Sequence, residues 1–269
     1  MTSLSNQDIP RKVAASQGFR WVVEGFRLYR KNPLLLSAAF GLLFGGVMAL
    51  NLIPGIGGAL SEIVSPLMAA GFLAAYRALD EGRELELPHF LAGVGGAIQP
   101  GSIASSPMLP LMTLGAVQLV GTLIIGQIMR SMGFDPEAIM AAAQNSQTRP
   151  EDMQAMMNQS LPAALTGLAL FTPLIMATWF APALILFGGA RPVTALGVSL
   201  KAVARNWAAL ALNGLALGLL LFVAALVPLL LGLLVALPVL LGSLYASYQA
   251  IFAVWADDTG TTQTADNLA

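Results

Sequence analysis

Glu62 is the only ionisable side chain between Lys31 and Arg77. A carboxylate inside such an apolar run is costly, so its first reading is functional: it could couple a proton or cation to the passage of a solute. Asn51 and Ser61 lie near it in sequence, at what reads as the end of a helix, where the same carboxylate could simply reach water. Further on, Asn213, Gln118, Gln127 and Gln249 place amides within or at the ends of apolar runs. They suit hydrogen bonds between helices, without the acidic chains of a proton-driven pump. Pro173 and Pro182 remove backbone donors nine residues apart, which favours kinks that either pack or line a cavity.

Six of the twelve methionines fall between Met129 and Met157, and Met153, Met156 and Met157 share a helix face with Leu161. Thioethers alone could hold Cu(I), although an apolar face seated on the bundle or on a partner explains them more simply. No cysteine is present and His89 is the single histidine, which excludes disulfides, thiolate chemistry and any site needing two imidazoles. His89 has no acidic partner at motif spacing. No HExxH, phosphate-binding glycine loop or serine with a nearby histidine base occurs. The expectation is therefore a protein with no catalytic residues, no cofactor and no metal, and not an enzyme.

The elements that carry these residues follow from hydropathy. Only 27 of 269 residues are charged, 57% are hydrophobic and the mean hydropathy is +0.75, against about 25% charged in a soluble chain. A spanning helix needs about 20 apolar residues, and the charge-free runs predict six, at 34–53, 58–79, 107–129, 162–188, 208–229 and 233–256. The fold class is thus all-α and polytopic, with six spans in three hairpins inside one domain, 34–256. An arm, 1–33, precedes it and a disordered cytoplasmic tail, 257–269, follows. Pro54 and Gly55 turn the first hairpin; Pro228 and Gly232 turn the last.

Lys and Arg number eleven on one side of these spans and two, Arg130 and Arg149, on the other. The positive-inside rule then places both termini in the cytoplasm of a bacterial inner membrane and the 130–161 insert outside. In that insert Asp135-Pro136-Glu137 predicts the start of one short helix, and Thr148-Arg149-Pro150-Glu151 predicts a capping box opening another. No cleavage site closes the first apolar run, which is expected to stay as an anchor. The basic residues face anionic lipid at the cytoplasmic surface, and nothing suggests nucleic acid.

Within the arm, Phe19, Val22, Val23, Phe26 and Tyr29 oppose Arg20, Glu24, Arg27 and Lys31. This predicts an amphipathic helix in the headgroup plane, anchored by Phe19, Trp21, Phe26 and Arg27 and ended by Asn32-Pro33. A shift of 174 residues aligns Phe26-Arg27, Lys31-Asn32 and Ile53-Pro54 with Leu200-Lys201, Arg205-Asn206 and Val227-Pro228. We read this as a parallel internal repeat of elbow and hairpin, with Leu87-Pro88-His89-Phe90-Leu91 opening a third, degenerate copy. Small residues every fourth position predict close helix packing at Ser37, Gly41, Gly45 and Ala49, at Ala70, Ala74 and Ala78, at Gly214 and Gly218, and at Gly242, Ala246 and Ala250. That packing serves either one bundle or a homo-oligomer.

The segment Trp179-Phe180-Ala181-Pro182-Ala183-Leu184, with Pro192, Ala195, Leu196, Ser199, Ala202 and Arg205-Asn206-Trp207, and the segment from Gly25 to Pro33 resemble an uncharacterised family of six-helix bacterial inner-membrane proteins. The resemblance covers about residues 18–256. The same motifs are more loosely similar to membrane domains that precede some glycerophosphodiester phosphodiesterases. No catalytic domain of that kind is present in the sequence, so the resemblance implies a topology and carries over no activity. The leading expectation is a non-enzymatic scaffold or partner-binding membrane protein. The alternative is a transporter or channel-like protein for a small solute or lipid, with Glu62, Asn51, Asn213 and the proline-kinked fourth span along the path.

Overall fold

The computed structural model describes residues 10–95, 106–145 and 148–252, and among them every regular element is helical. Six stretches are long and apolar enough to cross a membrane. They are α2 (Pro33–Leu50), α3 (Gly57–Asp80), α5 (Met108–Ser131), α7 with α8 (Pro150–Thr178 and Ala181–Gly188), α10 (Trp207–Ala225) and α11 (Leu233–Phe252). The others are α1 (Gln17–Tyr29), the one-turn α4 (Leu87–Phe90), α6 (Pro136–Gln144) and α9 (Pro192–Arg205). The expected tail, 257–269, lies outside the described residues.

Local chemistry fixes several starts. Asn32 is the N-cap of α2, its side chain accepting from the Leu35 N–H at 3.3 Å, with Pro33 at the first helical position; that N–H has no partner within the helix. Asp135 caps α6 in the same way, accepting from the N–H groups of Glu137 and Ala138 at 3.1 and 2.9 Å. The capping box expected at Thr148 does not form. Arg149 is the N-cap, and the helix that opens at Pro150 runs on without interruption into the fourth span. The second outer helix is therefore the first turns of α7, because nothing between Glu151 and Leu161 breaks a helix. Two ends also differ from expectation: α2 stops at Leu50 and α10 at Ala225, before the turns that hold Pro54 and Pro228. In the latter turn Leu229 and Leu230 take φ of 58° and 57°, a left-handed backbone that costs a non-glycine residue about 1–2 kcal/mol.

The centre of the bundle is α11 with α3. Of their most apolar stretches 61% and 44% are buried, against a third or less in the other four spans. Phe40, Phe72 and Phe90 meet in series, tilted and edge-on, and Phe180, Phe252, Tyr248 and Phe187 form a second such series. Helices α1, α2 and α3 begin at Gln17, Pro33 and Gly57, and α9, α10 and α11 at Pro192, Trp207 and Leu233, offsets within two residues of 174. Of the short elements, α1 packs on α10 and α11, α4 and the 3₁₀ turn Ala92–Val94 on α3, and α9 chiefly on α7 and α8.

Candidate functional site

Prolines inside spans leave backbone carbonyls bare, and hydrocarbon offers them no water. Side chains meet that need at three places. Pro66 cannot donate to the carbonyl of Glu62, and the Ser65 hydroxyl donates to it instead at 3.1 Å. Pro238 likewise frees the carbonyl of Leu234, which accepts from Ser37 Oγ at 2.9 Å; Tyr29 Oη lies 2.8 Å from the same hydroxyl. At the break between α7 and α8, Ser199 of α9 enters the gap. Its hydroxyl donates to the Met176 carbonyl at 2.8 Å and accepts from the Phe180 N–H at 3.0 Å, the two groups that would have bonded each other in an unbroken helix. Pro182 thus kinks the fourth span as expected, and Ser199 fixes the kink.

The amides have separate partners. Asn51 donates to Ser61 Oγ at 2.7 Å and to the Val47 carbonyl at 3.0 Å, tying the two helices of the first hairpin at its turn. Asn213, buried, donates to the Gly18 carbonyl at 3.0 Å and to Ser243 Oγ at 2.7 Å, joining α10 to α1 and α11. Glu62 is half-buried, and its Oε1 accepts from Thr122 of α5 at 3.3 Å. Asn51 and Glu62 are thus neighbours at one end of the first hairpin, and Asn213 belongs to a different junction. Thr122 carried no signal in sequence, since a threonine in an apolar helix ordinarily bonds its own backbone.

The small-residue stripes divide. Ala70, Ala78 and Gly242 are buried, and Gly242 meets α1 so closely that a Cβ on it would lie 3.0 Å from Gly25 Cα. At Gly41 the nearest atom is a Leu234 methyl at 3.6 Å, and at Gly45, Gly214 and Gly218 nothing lies within 4 Å. Those last three do not pack within the chain: α2 and α10 are apolar on every side, and the faces that carry these glycines turn outward. Besides Gly242, the tight contacts of α1 fall on glycines outside any four-residue stripe. A Cβ at Gly25 would stand 2.5 Å from the Ser243 nitrogen, and one at Gly18 would overlap the Ala209 carbonyl and stand 2.8 Å from the Asn213 nitrogen.

This clamp corrects the reading of the arm. Helix α1 presents three faces. Gly18, Trp21, Gly25, Leu28 and Tyr29 are buried against the bundle; Phe19, Val23 and Phe26 are exposed; Arg20, Glu24 and Arg27 form a polar edge between them. Trp21 is therefore a core residue and not a surface anchor. Its indole N–H, like that of Trp179, is buried with no acceptor among the described residues, an arrangement that costs about 1–3 kcal/mol. Ahead of α1 the chain is held as well: Asn206 donates to the Arg11 carbonyl and accepts from the Val13 N–H, both at 2.9 Å, and Arg11 N–H donates to the Ile251 carbonyl at 2.8 Å.

Charges gather where α1 meets the end of α3. Arg27 pairs with Glu24 and stands 3.5 Å from Asp80. The hydrogen bond from Arg27 holds the Glu24 carboxyl below its ordinary range against the effect of burial. Tyr245 Oη donates to Asp80 at 3.2 Å and accepts from Gln249 at 2.5 Å. Beside them burial pushes the Glu81 carboxyl up, but hydrogen bonds from Arg77 and Arg83 outweigh it, so it too lies low. Lys31 Nζ donates to the Leu79 carbonyl at 2.5 Å, a cation on the C-terminal dipole of α3. His89 Nδ1 accepts from the Glu86 N–H at 3.0 Å, so its ring caps its own short helix. Among the described residues no three His, Asp or Glu side chains group as a metal site. Met157 and Met140 are exposed, and Met153 and Met156 half-buried.

Six apolar helical stretches, with carbonyls freed by Pro66 and Pro238 taken up by serine hydroxyls, and charges gathered toward the ends define a multi-pass helical integral membrane protein. It belongs to the same family as a probable inner membrane protein of Burkholderia thailandensis, with which it is 31% identical over 221 residues, covering 80% of this chain and 79% of the relative. No family model matches the chain. No solved structure matches it either.

Proposed function

We propose that this protein is a non-enzymatic scaffold of the inner membrane that holds a partner protein or a second copy of itself. The observation that supports it most is how the polar groups within the spans are used. Asn213, Ser37 and Ser199 bond backbone carbonyls and N–H groups of neighbouring helices, so their hydrogen-bonding capacity goes into holding the bundle. Meanwhile α10 turns Leu215, Leu219 and Phe222 outward together with its open glycines. Small and large apolar residues on one unpartnered face suit another helix.

In this reading both termini are cytoplasmic and the 130–161 insert is outside, because basic residues gather on one side. Elbow and hairpin occur three times in parallel, each elbow seated on the hairpin before it in a ring: α1 on the last, α4 with its 3₁₀ turn on the first, α9 on the middle one. The cytoplasmic elbows and the outer insert are the docking faces, and the basic elbows favour anionic lipid.

Glu62 with Thr122 is the observation that favours the transporter alternative. Glu62→Gln keeps the shape and removes the charge. In proteoliposomes neither parent nor variant should show proton or solute flux, and both should insert and keep their partners. A flux in the parent that vanishes in a folded Glu62→Gln variant overturns the scaffold reading.

A further inference from the structure

A cavity of about 430 Å³ opens between α1 and the cytoplasmic ends of α3 and α11, walled by Arg20, Trp21, Glu24, Asp80, Tyr245 and Gln249. Its size is that of a small-molecule site. Its depth in the bilayer follows from Asp80, the last residue of α3, and from Gln249, one turn short of where α11 is last described. Both stand at the level of lipid headgroups.

The charges on its wall are separated. Arg27 serves two carboxylates, Glu24 and Asp80, leaving that group one negative charge in excess. Among the described residues Asp80 has a 3.5 Å contact to Arg27 on one oxygen and a neutral phenol on the other. Arg20, one turn before Glu24 on α1, has no ion pair among the described residues. The wall therefore offers an anionic group beside the aromatic rings of Trp21 and Tyr245, and a separate guanidinium. An ammonium is attracted both to a carboxylate and to an aromatic face, and a phosphate to a guanidinium. A ligand with one charge of either sign would leave half of this wall unmatched.

We propose that this cavity binds a zwitterionic phosphate–amine group, the ammonium at Asp80 against Trp21 and the phosphate at Arg20. Such a group is presented by an aminophospholipid in the cytoplasmic leaflet or by the free glycerophosphoamine. The proposal goes beyond the scaffold reading and stands or falls without it, since the test measures ligand binding and not partner capture.

The test is native mass spectrometry of the full chain released from micelles containing equal phosphatidylethanolamine and phosphatidylglycerol. The parent should retain ethanolamine lipid at least fivefold over glycerol lipid. Asp80→Asn should reduce that ratio at least threefold; Arg20→Gln, which removes the partner of the phosphate both lipids carry, should lower the retention of each at least threefold without lowering the ratio; and Glu151→Gln, in the distant outer insert, should leave both retention and ratio unchanged. Circular dichroism of each variant confirms that it is folded. In a second arm, glycerophosphoethanolamine is added: displacement of the lipid assigns the site to the shared headgroup chemistry, with a soluble ligand competent, and persistence of the lipid assigns it to the membrane-borne form. Equal retention of both lipids by the parent, or an undiminished ratio in folded Asp80→Asn, overturns the proposal. Should Asp80→Asn fail to fold, Arg20→Gln decides alone through total lipid retention, because among the described residues that side chain makes no hydrogen bond or ion pair; undiminished retention in that variant overturns the proposal.

Discussion

Replacing Gly18 with alanine tests whether α1 is a clamped part of the bundle or a helix floating at its surface. The added methyl would overlap the Ala209 carbonyl oxygen and stand 2.8 Å from the Asn213 nitrogen, both backbone atoms of α10. Backbone in a helix cannot step aside as a side-chain tip can, so α1 must lift. Overpacking of this kind costs about 1–3 kcal/mol. Lifting also stretches the 3.0 Å bond from Asn213 to the Gly18 carbonyl, worth about 0.5–1.5 kcal/mol. Alanine's better helix propensity returns at most about 1 kcal/mol, less at the second residue of a helix. The net expectation is a loss of about 1–3 kcal/mol, with Gly25→Ala behaving alike because its Cβ would meet α11 backbone at 2.5–2.9 Å. Gly45→Ala, with nothing within 4 Å, should be neutral or stabilising by up to about 1 kcal/mol. Unfolding by a denaturing detergent titrated into mixed micelles, followed by helicity, gives all three values. A Gly18→Ala variant as stable as the parent, or a Gly45→Ala variant as damaged as Gly18→Ala, would refute the argument.

Ser199→Ala strips the hydroxyl from the Met176 carbonyl and the Phe180 N–H at the break in the fourth span, and should cost roughly 1–3 kcal/mol for each group left bare; an unchanged unfolding midpoint would mean that the kink holds without it. Reporter fusions at residues 145 and 262 should fall on opposite faces of the membrane, and the same face for both would end the six-span topology with cytoplasmic termini. Phe26→Asp should draw the exposed face of the clamped α1 toward water, seen as shallower quenching of a probe at position 23. A probe at Trp21 would be blind to this, since that side chain is already buried in the bundle. Unchanged depth at position 23 would show that the exposed face of α1 does not contact lipid.

The number of spans, their approximate limits and the nature of several turns were legible in the residues alone. Hydropathy over about 20 positions is a local sum, and caps such as Asn32 and Asp135 act within three residues of themselves. Two helix starts were legible too, because Lys31-Asn32 and Arg205-Asn206 each precede one by the same short step. What sequence could not convey is rotation about the helix axis. In α2 and α10 apolar residues lie on every face and only Ser37 and Asn213 mark the side that meets a neighbour, while glycines at regular spacing, Gly45, Gly214 and Gly218, prove to face outward. The glycines that bring helices together, Gly18 and Gly25, lie seven residues apart on a helix whose most visible pattern is amphipathic. The same rotation decides that Trp21 is core while Phe19 and Phe26 are surface, that Glu62 reaches Thr122, and that Asn213 closes a junction with Gly18 and Ser243. Each depends on a residue distant in sequence meeting it in space, and only the packing of one helix against another determines which.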